Sequence, residues 1–317
     1  MRMYKIALTA ACAALALSAC SGNTDGANRD ADATTDGTID VATSFYPITW
    51  LTEEIGGEAV SVTSMTPANA EPHDFELSPA EIATMADMDA IIYVRGFQPS
   101  LDEAIDSISG PKIVDLTEMV DLEPLLADDH DHEGEEHSAD DGHDHSGDLD
   151  PHFWLDPKRM EGAAEGIAEA LTSLSPEGAD SFKTNLTAVQ GSLDGLDKNF
   201  EAGLATCERR TIVTSHAAFG YLAREYDLTQ VSISGIDPDR EPSPAEINRV
   251  KKAIQEAGVT TVFTEELVSP KTSEALAEEA GADVALLSTL EGQPADGNYV
   301  DAMSTNLDTL RTALACK

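Results

Sequence analysis

Basic residues are scarce in this chain: 19 lysines and arginines stand against 59 aspartates and glutamates, for a formal net charge of −40 at pH 7. A surface so acidic repels phosphate backbones and anionic lipid headgroups, which argues against nucleic acid as a partner, and it concentrates divalent cations nearby. Adaptation to a saline habitat would give the same excess, so charge alone does not assign a function. Catalytic signatures are missing too, with no G-x-S-x-G elbow, no P-loop and no G-x-G-x-x-G. The stretch "HEGEEH" at 132–137 superficially resembles a metalloprotease helix. Its histidines are five residues apart rather than four, a glycine interrupts it, and it has no apolar face. A zinc hydrolase is therefore disfavoured, and the chain reads as a non-enzyme.

Cysteine is also rare, with four in the chain. The first nineteen residues carry Arg2 and Lys5, then a small apolar run, then Leu17-Ser18-Ala19-Cys20. That run is too short for a membrane span of about 20 residues, so it reads as a targeting segment. It resembles a bacterial lipoprotein signal, with Cys20 as the lipidated residue. Removing residues 1–19 takes away two positive charges, leaving 17 basic against 59 acidic residues, about −42. Cys12 leaves with the signal, so Cys207 and Cys316 remain. In an oxidising, extracytoplasmic compartment two leftover thiols pair as a disulfide, and no Cys-x-x-Cys spacing supports a two-thiolate metal site instead.

At 317 residues and 41% hydrophobic content the chain is long enough for two cores. Residues 20–37 contain almost nothing apolar and read as a tether. From about residue 38, apolar runs alternate with amphipathic ones: "VATSFYPI", "TWLTEEIGG", "AVSVTSM", "SPAEIATMADMD", "AIIYV", "PSLDEAIDSI" and "KIVDL". A second series starts after Arg210 with "TIVTSH" and ends in a helix from about Tyr299 to Leu314. Strand–helix alternation of this kind builds parallel α/β layers. Both "SPAEI" segments, at Ser78 and Ser243, place a Ser-Pro cap and a first-turn acid at a helix start. Between the two series Phe182, Leu186, Val189, Leu193, Leu196, Phe200 and Leu204 recur every three or four residues, one stripe of a continuous helix about 30 Å long. The expected division is an α/β lobe over 38–177, a linking helix over 178–205 and a second α/β lobe over 206–317.

Three histidines stand apart by context. His73 lies in "EPHDFELSP" between a strand and a helix, His152 in the proline-pinned "DPHFWLDP", and His216 where "TIVTSH" runs into "AAFGYLA". At least two follow the carboxyl end of a strand, where open α/β sheets place their ligand crevices. Three imidazoles from distant points in the chain can close a rigid zinc shell that a local peptide cannot.

These three motifs, in this order, with the lipobox, the acidic His-rich insertion and the long middle helix, resemble the zinc- and manganese-binding lipoproteins of bacterial ABC importers. The resemblance covers nearly everything from about residue 39. It implies two α/β lobes joined by one rigid backbone helix, a metal held in the interlobe cleft by His73, His152 and His216, and delivery to a membrane permease with its cytoplasmic ATPase. It also implies a monomer anchored through Cys20 at the cell surface or in the periplasm. Manganese-binding members typically carry glutamate at the third position, so histidine there points to Zn2+, as does a three-nitrogen ligand set. The family's usual fourth ligand is an aspartate in a segment where this chain has "STLEG", with Ser288 at its place. Water is expected to complete the shell ahead of Glu291, with Asp237 and Glu71 as further carboxylate candidates.

From Asp128 through Asp150 there are eleven acidic residues, five histidines and no lysine or arginine. Such a segment holds too little apolar surface to fold alone. His130 with His132, and His143 with His145, form His-x-His pairs suited to weak zinc chelation, with His137 beside them. They are expected to form an auxiliary capture loop over 128–150. A surface zinc buffer or adhesin not coupled to import is the alternative that no motif excludes.

Overall fold

The computed structural model describes residues 37–124 and 149–317. Cys20, the loop histidines His130, His132, His137, His143 and His145, and the "HEGEEH" stretch lie outside these residues.

The first series forms β1 (Ile39–Thr43), α1 (Tyr46–Gly56), β2 (Val60–Ser64), α2 (Pro79–Ala86), β3 (Ala90–Tyr93), α3 (Pro99–Ser107) and β4 (Lys112–Asp115). Its strands make one parallel sheet in the order β2-β1-β3-β4. The apolar run "VATSFYPI" does not stay extended to its end, because the helix begins at Tyr46 with Pro47 in its first turn. Proline is tolerated there since the amide it lacks would have no helical partner. At Ser78 the hydroxyl accepts from the Glu81 amide and the Glu81 carboxylate accepts from the Ser78 amide.

Two helices follow, α4 (Pro157–Leu174) and α5 (Ala179–Leu204). The second series then forms β5 (Thr211–Thr214), α6 (Gly220–Glu225), β6 (Thr229–Ser232), α7 (Pro244–Ala257), β7 (Thr261–Thr264), α8 (Lys271–Ala280) and β8 (Asp283–Leu286), before α9 (Tyr299–Ala313). This sheet is again parallel, in the order β6-β5-β7-β8, the same winding as the first. Ser243 and Glu246 repeat the reciprocal cap at the start of α7. The two "SPAEI" segments therefore have one physical job, closing the orphan amides of a helix that packs on a sheet.

The 26 residues of α5 span about 39 Å. Phe182, Val189, Leu193, Leu196, Phe200 and Leu204 are buried along it, and Leu186 is partly so. They join one apolar core with β1 and α1 from the first series, with α4, and with β5, α6 and α9 from beyond the long helix. Smaller clusters lie in each series, around Ile91, Met85 and Leu101 in the first and around Val213, Val250 and Leu276 in the second. The long helix thus joins two similar α/β lobes through a shared core. Cys207, just after α5, is disulfide-bonded to Cys316, just after α9, across a sequence separation of 109. A closure of that size restricts the unfolded chain by about 4–5 kcal/mol on chain-entropy grounds. Among the described residues no helix is long and apolar enough to cross a membrane.

Gly191 and Gly195 sit within α5 with open space where a side chain would project. Gly191→Ala and Gly195→Ala should each raise stability by about 1 kcal/mol. Leu193→Ala, which empties a fully buried site, should lower it by about 2–5 kcal/mol. Guanidinium denaturation of the three variants measures both effects, and equal midpoints would show that the stripe does not hold the helix.

Candidate metal centre

Parallel sheets leave backbone groups and loop side chains at the carboxyl ends of their strands, and here both lobes turn those ends toward a common crevice. His73 comes from the connection between β2 and α2, His216 from the two-residue step beyond β5, and Glu291 from the turn beyond β8. His152 precedes the short 3-10 turn Phe153–Leu155 that leads into α4. One ligating atom from each of these four side chains lies within 4.8 Å of the others. All four residues are buried, His152 and His216 completely.

The contacts fix which atoms converge. His73 Nε2 and His152 Nε2 are 3.4 Å apart. Glu291 Oε1 lies 3.4 Å from His216 Nε2, 3.6 Å from His73 Nε2 and 3.8 Å from His152 Nε2. A tetrahedral zinc shell with bonds of about 2.0–2.1 Å has ligand–ligand edges of about 3.3–3.4 Å. These four separations lie within about half an ångström of such edges, and every pair among the four atoms is within 4.8 Å. Glu291 Oε1 and His216 Nε2 are buried without a hydrogen-bond partner. Leaving such groups unpaired is costly, and a cation at the focus removes that cost for both.

The far sides of two rings are tied down. His216 donates its backbone amide to Glu265 Oε1 at 3.1 Å, and its Nδ1 lies 2.5 Å from Glu265 Oε2. His152 Nδ1 and its backbone amide both reach Asp150 Oδ1, at 2.9 and 3.0 Å. A carboxylate on Nδ1 holds the proton there, which leaves the Nε2 lone pair for a metal. Glu265 directly follows β7, beside β5, so the His216–Glu265 pair sits where the strand order reverses. Asp150 is buried against the first residue of α6, where a side chain on Gly220 would come within 2.5 Å of its Oδ2. Arg224 Nη2 lies 3.8 Å from the same oxygen, and the Tyr221 hydroxyl donates to the Asp150 carbonyl at 2.7 Å. His73 is backed differently: its amide donates to Glu71 Oε1 at 3.1 Å and its ring meets Phe97 edge-on, centroids 4.5 Å apart.

The electrostatics favour positive charge at the centre. Burial draws the His152 ring below its ordinary pKa, only partly opposed by Asp150. Burial also works against charge on His216, yet Glu265 and Glu291 outweigh it and hold that ring well above its ordinary value. Glu291 is opposed by its own burial but is drawn well below the usual carboxylate range by His216 and His73. The arrangement that favours a proton on His216 favours a divalent ion at the focus more strongly, since the ion meets all four groups at once.

Of the two expected completions, water and Glu291, it is Glu291 that has an atom at the focus. Ser288 takes another part: its hydroxyl accepts from the Leu290 amide at 3.2 Å. Asp237 is exposed and caps the Asp239 amide, while Glu71 grips the amides of His73 and Asp74. Asp150 and Glu265 were not singled out from sequence. The signal for Asp150 is its place two residues before His152, and for Glu265 its place directly beyond a buried strand.

Residues 41–313 match the family described as "Zinc-uptake complex component A periplasmic". The chain is 35% identical over 290 residues to the zinc-binding protein AdcA of Streptococcus pyogenes serotype M3, covering 87% of this chain and 56% of that protein's length. It thus spans little more than half of that relative. It is 32% identical over 288 residues to the high-affinity zinc uptake system protein ZnuA of Bacillus subtilis, covering 88% of each. The solved laminin-binding protein Lmb of Streptococcus agalactiae, described as having adhesin and metal-transporting activity, superposes with a TM-score of 0.77 at 29% identity, over 87% of this chain and 99% of that one. By sequence and by fold alike, the chain belongs to the ZnuA family of zinc-uptake binding components.

Proposed function

We propose that this protein captures Zn2+ in its interlobe cleft, through His73, His152, His216 and Glu291, and presents it to an ABC-type permease and its ATPase for uptake. The observation that carries this reading is the convergence of three imidazole nitrogens and one carboxylate oxygen on a single buried point, two of them with no other partner. Three nitrogens and one oxygen at tetrahedral spacing suit zinc, whereas manganese favours more oxygen ligands and a higher coordination number. The names of the relatives, a zinc-binding protein and a high-affinity zinc uptake protein, support the same substrate. The family is a transport component and not an enzyme class.

The protein works outside the cytoplasm, consistent with the family's periplasmic description and with a relative named a zinc-binding lipoprotein, 31% identical across 98% of this chain. Anchoring through Cys20 would keep it beside the permease, and the acidic 128–150 segment would gather zinc near the cleft. Capture is a binding step in which the ion exchanges water for protein ligands. Asp150 and Glu265 hold two rings in the binding tautomer, so little reorganisation is left for the moment of binding.

Calorimetric titration of the wild-type protein should find one tight zinc site. His216→Ala should weaken it at least about 100-fold, roughly 2.7 kcal/mol. Deleting residues 128–148 should leave the tight site and remove only weaker binding. A deletion variant that lost the tight site would move the function out of the cleft.

Imidazole binds zinc only after losing the proton on the ligating nitrogen, so affinity should fall as pH drops from 7 to 5, about tenfold per pH unit for each proton displaced. The same titration repeated across that range checks it, and constant affinity would count against a histidine shell. A strain lacking the gene should fail to grow under zinc limitation. Loss of tolerance to excess zinc, with normal growth under limitation, would indicate a buffer or adhesin instead.

A further inference from the structure

Glu291 reaches the focus only through an unusual piece of chain. Beyond β8 the backbone has five residues in which to leave the sheet and turn inward, and Leu287, Thr289, Leu290 and Glu291 are all buried in doing so. Leu290 takes a left-handed conformation, φ 58°. For a residue with a Cβ this costs about 1–2 kcal/mol, so the turn is held from outside rather than relaxed.

The holding groups come mainly from α9. Asn306 is 2% exposed, a polar side chain on a helix face otherwise made of Tyr299, Met303, Leu307 and Leu310. Its Oδ1 accepts from the Ser288 amide at 2.8 Å, and its Nδ2 donates to the Ser288 carbonyl at 2.8 Å. This reciprocal pair does for Ser288 what a neighbouring strand would do for an edge residue. Two helical turns earlier on the same face, the Tyr299 hydroxyl donates to the Trp154 carbonyl at 2.5 Å. Trp154 Nε1 in turn donates to the Thr289 carbonyl at 2.8 Å. One helix face therefore holds both the segment that carries His152 and the turn that carries Glu291.

We propose that Asn306 is a positioning residue for the metal shell: by clamping Ser288 from α9 it keeps the strained 288–291 turn in the form that presents Glu291 as the fourth ligand. The inference rests on the zinc reading above and concerns a residue that touches no metal. An asparagine that merely filled the α9 interface would contribute to folding, with no selective link to Glu291. A positioning role makes a narrower demand, that removing Asn306 harms zinc binding only while Glu291 is there to be positioned.

The test is a double-mutant cycle on the full chain, with zinc affinity read by chelator competition and zinc release by stopped-flow. The proteins are wild type, Asn306→Ala, Glu291→Ala and the double variant, with circular dichroism and a thermal melt run on each. Asn306→Ala is expected to weaken zinc about 10–100-fold, chiefly through faster release. In the Glu291→Ala background the same change should alter affinity by less than about threefold, as expected when one residue acts through the other. Asn306→Leu, which keeps a side chain of similar volume on the apolar face of α9 while removing both bonds to the Ser288 backbone, is the second variant if Asn306→Ala does not fold. Its loss of affinity should likewise vanish without Glu291. Equal losses in both backgrounds, or no loss in wild type from a variant that folds, would overturn the positioning role. A wild-type protein with no tight zinc site would instead overturn the zinc reading, so the two failures are distinguishable.

Discussion

Everything in the cleft follows from burying negative charge. Glu291, Glu265 and Asp150 are each at most 6% exposed, and ionised carboxylates are not left in such surroundings without compensation. Arg224 stands near Asp150, and the imidazole N–H groups of His152 and His216 answer Asp150 and Glu265. What remains is Glu291 Oε1, facing three ring nitrogens. A divalent cation at that point answers Glu291 Oε1 and the three ring nitrogens in one step. Binding is thus built into the electrostatics of the fold rather than added at its surface.

The scaffold serves this demand by repetition. Two sheets with the same winding present the carboxyl ends of their strands to one crevice, and α5 with its shared core fixes the lobes to each other. The first lobe contributes His73, the connecting segment His152, and the second lobe His216 and Glu291. An ion held by these four side chains would be part of the contact between lobes. α9 adds a further restraint, since Tyr299 and Asn306 lie two turns apart on one face and hold the turns on which His152 and Glu291 depend.

Much of this was legible in the chain as written. The alternation of apolar runs, the paired "SPAEI" caps and the stripe from Phe182 to Leu204 each have a local physical cause, and the corresponding strands, caps and helix are present. The boundary of α1 falls inside the run "VATSFYPI", because Pro47 in a first turn is compatible with a helix. The histidine motifs pointed to the cleft because each sits in a short, rigid context between regular elements.

Sequence by itself determined the fold class, the linking helix, the Cys207–Cys316 pairing and the three histidines that meet in the cleft. These depend on periodicity, composition and short motifs, which are properties of neighbouring residues. Tertiary structure decided that Glu291 and not Ser288 stands with the rings, that Asp150 and Glu265 orient them, and that Asn306 grips the Ser288 backbone. Those facts turn on the direction of a side chain after a left-handed step at Leu290 and on contacts between residues far apart in sequence, such as His216 with Glu265 and His73 with Glu291. No local pattern encodes such directions, because they are set only when the two lobes and α9 close around the same point.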